Sequence, residues 1–188
     1  TTDAVISKAT LQRCLRESVS KSFNRITVDG DMSTNDTVLA LANGMAGHQP
    51  LRHNARSALA KSDLALFQKA LDQVCLTLAK MLVKDGEGVS RFVTVYVEGA
   101  RTDLEADAAV RAVANSSLVK TSWLGGDPNW GRILDALGYS NARIDPSRVD
   151  VGYRNANSKK ILYSLKSGKV TRTTFERLCG IVAEPDFE

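Results

Sequence analysis

The sequence is poor in cysteine, histidine and proline, and each shortage removes a class of protein. Its three cysteines, Cys14, Cys75 and Cys179, are far apart, odd in number and form no CxxC pair. Neither a disulfide scaffold nor a zinc-finger framework is indicated, and a reducing compartment is expected. The two histidines, His48 and His53, both lie in the polar stretch GHQPLRHN rather than on a helix with ligand spacing, which favours a surface loop over zinc. Four prolines and thirteen glycines in 188 residues exclude collagenous and Pro/Gly-rich disordered chains. No apolar run approaches the ~18 to 20 residues of a membrane span, and TTDAVISK carries neither a basic leader nor an apolar signal core. A formal charge of +4 is spread without a basic stripe, so no nucleic-acid partner is expected.

What remains is a globular composition, 43% apolar and 24% charged, on a chain long enough to bury a core. In ISKATLQRCLRESVSKSFNRI, Leu11, Leu15, Val19 and Phe23 recur at fourth positions and predict a helix, with Ser7 as its N-cap. ITVDGDMSTNDTVLALANG predicts a short strand, a polar loop and a second buried segment over 37–42. Residues 61–83 carry Leu64, Phe67, Leu71, Val74, Cys75, Leu78 and Leu82 at helical spacing, with Cys75 read as a packed small hydrophobe. RFVTVYVE alternates as a strand, with Val93, Val95 and Val97 on one face. A core between that long helix, Leu71 included, and residues 92–97 is expected. A helix over 103–115, a loop from Ser117 to a short helix after Trp130, extended RVDVGY and KKILYSL, and a last helix over 174–178 complete the reading.

This order implies an α+β fold, a layered α/β sandwich with helices packed on mixed sheets. A main α/β domain over 1–135 and a smaller C-terminal α/β region over 136–188 are expected. Neither GxGxxG nor GxxxxGK followed by Ser or Thr occurs at a strand-to-helix turn, which argues against dinucleotide and phosphate loops.

Three polar loops have the composition of ligand sites: VDGDMSTND, KDGEGVSR and VKTSWLGGDPNWGR. Asp29, Gly30 and Asp31 read first as turn formers. Ser33, Thr34 and Asn35 suit either a helix cap or a cavity wall. Glu87, between two glycines, suits either a ligand ammonium or a solvated turn. Asp127 and Arg132 read as a paired loop under Trp123 and Trp130. Lys120 suits either a carboxylate ligand or a strand from which it snorkels to water. No GxSxG elbow or Cys–His arrangement is present. Thr1 has a free α-amine that can serve as base for its own hydroxyl, although a plain domain boundary explains the same start.

Taken together, FNRITVDGDMSTNDTVLALANG, KDGEGVSRFVTVYVEGA and NSSLVKTSWLGGDPNWGRILDALG resemble the β chain of the ornithine acetyltransferase family, also called glutamate N-acetyltransferase. The resemblance covers nearly the whole chain. It implies an N-terminal-nucleophile-like, self-processing cytoplasmic enzyme that moves acetyl from N-acetylornithine to glutamate through an acetyl-threonine. It also implies acetyl-CoA as an alternative donor in some members, no metal or redox cofactor, and an α-chain partner in an αβ heterodimer that assembles further. The family nucleophile is a Thr a few residues upstream of the stretch matching Thr1 to Ala4, so no catalytic residue is assigned within this sequence. Glu87 is the implied substrate-binding residue. The family's C-terminal substrate contacts have no counterpart before PDFE, so further chain is expected at both ends. The alternative reading is an N-terminal-nucleophile amidase of similar self-cleaving layout, with water as the acceptor.

Overall fold

The computed structural model describes residues 1–54 and 56–188. Their contacts divide the chain into two compact units, Thr1–Asp85 and Gly86–Glu188. The boundary expected at 135/136 instead falls inside a helix, α5 (Trp130–Gly138).

The first unit is built on two helices, α1 (Lys8–Lys21) and α2 (Ala58–Lys84). Each starts at a serine whose hydroxyl accepts an otherwise free first-turn amide: Ser7 from Thr10 N and Ser57 from Ala60 N. The buried residues of α1 are Thr10, Leu11, Cys14 and Ser18, continued by its C-cap Ser22, not the expected Leu11, Leu15, Val19 and Phe23. Steps of four residues overshoot each turn by roughly 40°, so an unbroken row of them drifts off a face that mixed steps of three and four follow. Leu15, Val19 and Phe23 are half-buried.

The helices are joined by a polar knot. Gln68 Nε2 donates to the Cys14 carbonyl at 3.2 Å and to Asp72 Oδ1 at 2.7 Å, and Ser18 Oγ donates to the same Asp72 oxygen at 2.6 Å. Burial works to raise the Asp72 pKa, but the hydrogen bonds from Ser18 and Gln68 and the charge of Lys21 prevail and hold it below the ordinary value.

The strand expected after Ile26 is absent; Phe23–Arg25 forms a 3-10 turn. Residues 37–42 are neither helix nor buried strand, since Leu39 and Leu41 are exposed and only Ala42 bridges, in parallel, to Thr2. A second parallel bridge joins Ile6 to Leu51, where Leu51 N donates to the Val5 carbonyl at 2.8 Å.

In the second unit, α3 (Asp103–Asn115), α4 (Ser117–Leu124), α5 and α6 (Phe175–Val182) enclose the core with short strands. The strands β2 (Val151–Tyr153), β3 (Leu162–Lys166) and β4 (Lys169–Val170) form an antiparallel sheet in the order β2-β3-β4. The β3–β4 hairpin turns on Ser167 and Gly168, both at positive φ (48° and 70°), as a two-residue turn matched to strand twist requires. β1 (Phe92–Val93) pairs in parallel with β5 (Asp186–Phe187). This arrangement is the mixed α/β fold, with helices packed on sheets, that the element order predicts.

The core cluster contains Val113, Val119, Trp123, Leu137, Tyr153, Leu165, Val182 and Phe187, with Val93, Val95 and Val97 against it. The alternation read in RFVTVYVE is therefore real, although only two of its residues count as strand. Val93, Val95 and Val97 pack on the core of the second unit itself. The helix partner of α2 is α1 in the first unit, and Leu71 is only half-buried. The segment from Ser117, expected as a loop, is α4, so Lys120 sits on a helix rather than a covered strand.

Candidate functional site

Glu87 follows the C-cap of α2, Asp85, in a tight turn closed by Val89 N donating to the Gly86 carbonyl at 3.1 Å. Gly88 takes φ +68°, which a side chain at that position would strain. The Glu87 carboxylate is exposed and has no hydrogen-bond or ion-pair partner among the described residues. Four residues on, Arg91 anchors the exit of this turn. Its Nη1 donates to the carbonyls of Ala183 at 2.7 Å and Glu184 at 3.2 Å, and its Nη2 reaches the Leu124 carbonyl at 3.4 Å. One guanidinium thus serves open carbonyls at the C-terminal ends of α6 and α4, where helix geometry leaves acceptors unpaired. The sequence reading did not single out Arg91; its position between the DGEG turn and a strand was the only available signal.

The DPNWGR stretch is shaped by what stops α4. Gly126 at φ +70° donates to the Trp123 carbonyl at 3.0 Å, and Asp127 N to the Ser122 carbonyl at 2.8 Å. That is the paired closure by which a left-handed glycine ends a helix. The chain restarts at once: Asn129 Oδ1 accepts from Arg132 N at 3.1 Å and caps α5, while Asn129 Nδ2 donates to Asp127 Oδ2 at 2.9 Å. Arg132 does not pair with Asp127 as expected. Its Nη1 donates to the Leu118 carbonyl at 2.8 Å and to Thr121 Oγ1 at 3.0 Å, binding α5 to α4. Trp123 packs edge-on against Phe187, with ring centroids 6.2 Å apart.

Asp127, Asn129 and Trp130 line a cavity of about 350 Å³ together with Ser164, Thr173 and Phe175. The Tyr153 hydroxyl is buried and has no partner among the described residues. Burial first, then the nearby charge of Asp127, push its ionisation well above the ordinary phenol range.

In the STND loop, Asp31 N donates to Asp29 Oδ1 at 2.8 Å and Asn35 N to Ser33 Oγ at 3.1 Å. Both are local turn contacts, and Ser33, Thr34 and Asn35 are exposed. Thr1 is exposed at the head of an extended segment; next to it Thr2 N donates to the Leu41 carbonyl at 2.8 Å. His48 belongs to the same framework, its Nε2 accepting from Val5 N at 3.1 Å. Burial raises the pKa of Cys75, as suits a packed thiol rather than a nucleophile. Among the described residues no cluster of three or more potential ligands is placed to hold a metal, and no helix is long and apolar enough to cross a membrane.

Comparison with known proteins places these features in a family. The family model described as the ArgJ family matches residues 1–182. The chain is 50% identical over 150 residues to the arginine biosynthesis bifunctional protein ArgJ of Geobacter sulfurreducens, covering 80% of this chain and 37% of that protein. It is 48% identical over 168 residues to the glutamate N-acetyltransferase of Methanocaldococcus jannaschii, covering 89% of this chain and 39% of that protein. The crystal structure of the arginine biosynthesis bifunctional protein ArgJ from Bacillus halodurans superposes with a TM-score of 0.85 at 36% identity, over 99% of this chain and 83% of that one. The chain spans well under half the length of these curated relatives. With the family model covering nearly every residue and the fold shared almost end to end, the chain belongs to the ArgJ family.

Proposed function

We propose that this chain is the β-chain part of a glutamate N-acetyltransferase, moving acetyl from N2-acetyl-L-ornithine to L-glutamate in the cytoplasm. The observation that carries the reading is the exposed, unpartnered Glu87 carboxylate in its DGEG turn, on a chain of this family. A threonine hydroxyl upstream of Thr1, assisted by its own α-amine, attacks the acetyl carbonyl, and donors on an α chain stabilise the oxyanion. The amide C–N bond breaks and ornithine leaves with the proton the α-amine took from the hydroxyl. The neutral glutamate amine then attacks the acetyl-threonine, the ester C–O bond breaks, and N-acetylglutamate and the free hydroxyl result, the amine's proton returning to the threonine oxygen. Glu87 orients the amino-acid substrate by accepting hydrogen bonds from its amino group, the side-chain ammonium of acetylornithine or the attacking amine of glutamate. Such a contact is weak in open water and strengthens when the site excludes solvent, so the role of Glu87 depends on the αβ assembly. The chemistry needs no metal or redox cofactor, and acetyl-CoA serves as an alternative acetyl donor.

The test is acetyl transfer by the assembled protein, read as N-acetylglutamate formed from N-acetylornithine and glutamate, with mass mapping of the trapped enzyme. Acetyl on an upstream threonine is the expected result. Hydrolysis to free acetate with no transfer to glutamate would favour the amidase reading, and acetyl on the Thr1 hydroxyl would overturn the placement of the nucleophile.

A further inference from the structure

The first unit holds a second cavity, of about 280 Å³, that the acetyl-transfer reading leaves unused. It lies between α1, α2 and the segment after Leu51, and its charged lining is Arg13, Arg52, Lys61 and Glu17, with His53 beside them. Leu64 and Ala65 supply an apolar wall. The walls are fixed from below. Gln68, itself a lining residue, ties α2 to the Cys14 carbonyl, and the Leu51 N to Val5 O bond holds the segment carrying Arg52 and His53 against the start of α1.

The balance of charge decides what such a cavity takes. Among the described residues, the side chains of Arg13, Arg52 and Lys61 form no hydrogen bond or ion pair. The one carboxylate, Glu17, is already engaged by Lys21 Nζ at 2.7 Å. Burial and the neighbouring Glu17 push the Cys14 thiol up, so the thiol adds no negative charge at neutral pH. Three cations brought together from three chain segments repel one another, a cost that an anion with several acceptor oxygens removes. Guanidinium forks match phosphate oxygens two at a time, and an ammonium adds a point charge.

We propose that this cavity binds a phosphate-bearing small molecule, with Arg13, Arg52 and Lys61 on the phosphate and the Leu64–Ala65 wall against its organic part. The volume lies near the lower edge of small-molecule sites, more than a bare oxyanion fills. The site stands independently of the acetyl-transfer proposal.

Calorimetric titration of the natively assembled protein with inorganic phosphate, pyrophosphate and adenosine monophosphate tests it. At least one probe is expected to bind, adenosine monophosphate more tightly than phosphate, and Arg13→Gln combined with Arg52→Gln is expected to weaken it by tenfold or more. Lys61→Gln alone should give a smaller loss in the same direction. Arg16→Gln, on α1 but outside the cavity, removes the same unit of net charge and should leave binding unchanged. The double variant alters only exposed side chains, and an unchanged melting curve verifies its fold; should it melt early, Lys61→Gln decides. Absence of binding for all three probes, or equal weakening by Arg16→Gln, overturns the proposal. Phosphate binding as tightly as adenosine monophosphate removes its organic part.

Discussion

Arg91 donates from Nη1 to the Ala183 carbonyl at 2.7 Å, so the turn that carries Glu87 and the last turn of α6 are held by one side chain. Because the same guanidinium also reaches Leu124, its loss frees carbonyls on two helices at once. Arg91→Ala should lower the stability of the second unit by about 1.5 to 3 kcal/mol, the range for hydrogen bonds to a charged group. Lys, with three donors on a flexible stem, should recover only part of it. Urea unfolding of both variants measures the difference, and an unchanged midpoint for Arg91→Ala would remove the clamp.

Glu87→Gln keeps the size of the side chain and removes its charge. Since Glu87 is exposed and unpartnered, folding should be unaffected. The kcat/KM of the complete αβ enzyme should fall roughly 10-fold to more than 100-fold, corresponding to about 1.5 to 3 kcal/mol. Steady-state rates with acetylornithine and glutamate varied in turn check this; wild-type values for both would return Glu87 to a solvated turn acid.

Asp72 gives the first unit an acid limb. Its pKa is held below the ordinary value in the folded chain, so the unfolded state takes up the proton more readily. The stabilisation is present above about pH 4, the unfolded value, and is lost as pH falls through the lower folded value. Asp72→Asn should therefore be less stable than wild type at neutral pH, with the gap closing under acid. Parallel denaturation curves from pH 7 to pH 3 would reveal it, and a gap independent of pH would contradict it.

Gly168 is fixed by its surroundings as well as its φ. A Cβ there would lie 2.5 Å from the Pro146 carbonyl oxygen and 2.8 Å from Ser147 Cα, both backbone atoms. Gly168→Ala should cost roughly 2 kcal/mol or more, whereas Gly44→Ala, also at positive φ but with open space around it, should cost about 1 kcal/mol. Thermal unfolding ranks the two; equal losses would mean that crowding at Gly168 plays no part.

Tyr153→Phe should be neutral or stabilising by up to about 1 kcal/mol, because it removes a buried hydroxyl that has no partner among the described residues. Ultraviolet titration should also show one tyrosine fewer ionising only on unfolding, since burial and Asp127 keep Tyr153 neutral. A loss of stability above 1 kcal/mol would reveal a partner for the hydroxyl.

Elements with local signals were legible in the sequence. Ser7 before an amphipathic run, the long apolar period of α2 and the acidic first turn of α3 each fix a helix from within. What escaped depends on distant partners. Ser116, just before SLVKTSWL, and the glycine pair after it are the cap and stop of α4, but β-branched and aromatic residues in a short segment hid a helix whose stability comes from core contacts. β5 is two residues long and is defined by distant pairings, with Phe92–Val93 on one side and Asn155 on the other. The site showed the same split. The DGEG and DPNWGR turns were visible as glycine and carboxylate patterns, whereas the Arg91 contacts and the basic cavity join residues too far apart in sequence for spacing to reveal them.

The β1–β5 pairing also sets the order in which the second unit can form. Phe92 meets Asp186 and Val93 meets Phe187, and the Phe187 ring is fully enclosed. The α3–α4–α5 helices and the β2–β3–β4 hairpins close short loops and can collapse early, while the parallel pair must close a loop spanning nearly the whole unit. The core is therefore complete only once Phe187 is in place, since without it Trp123 lacks its edge-on aromatic neighbour and Phe92–Val93 lack their strand partner.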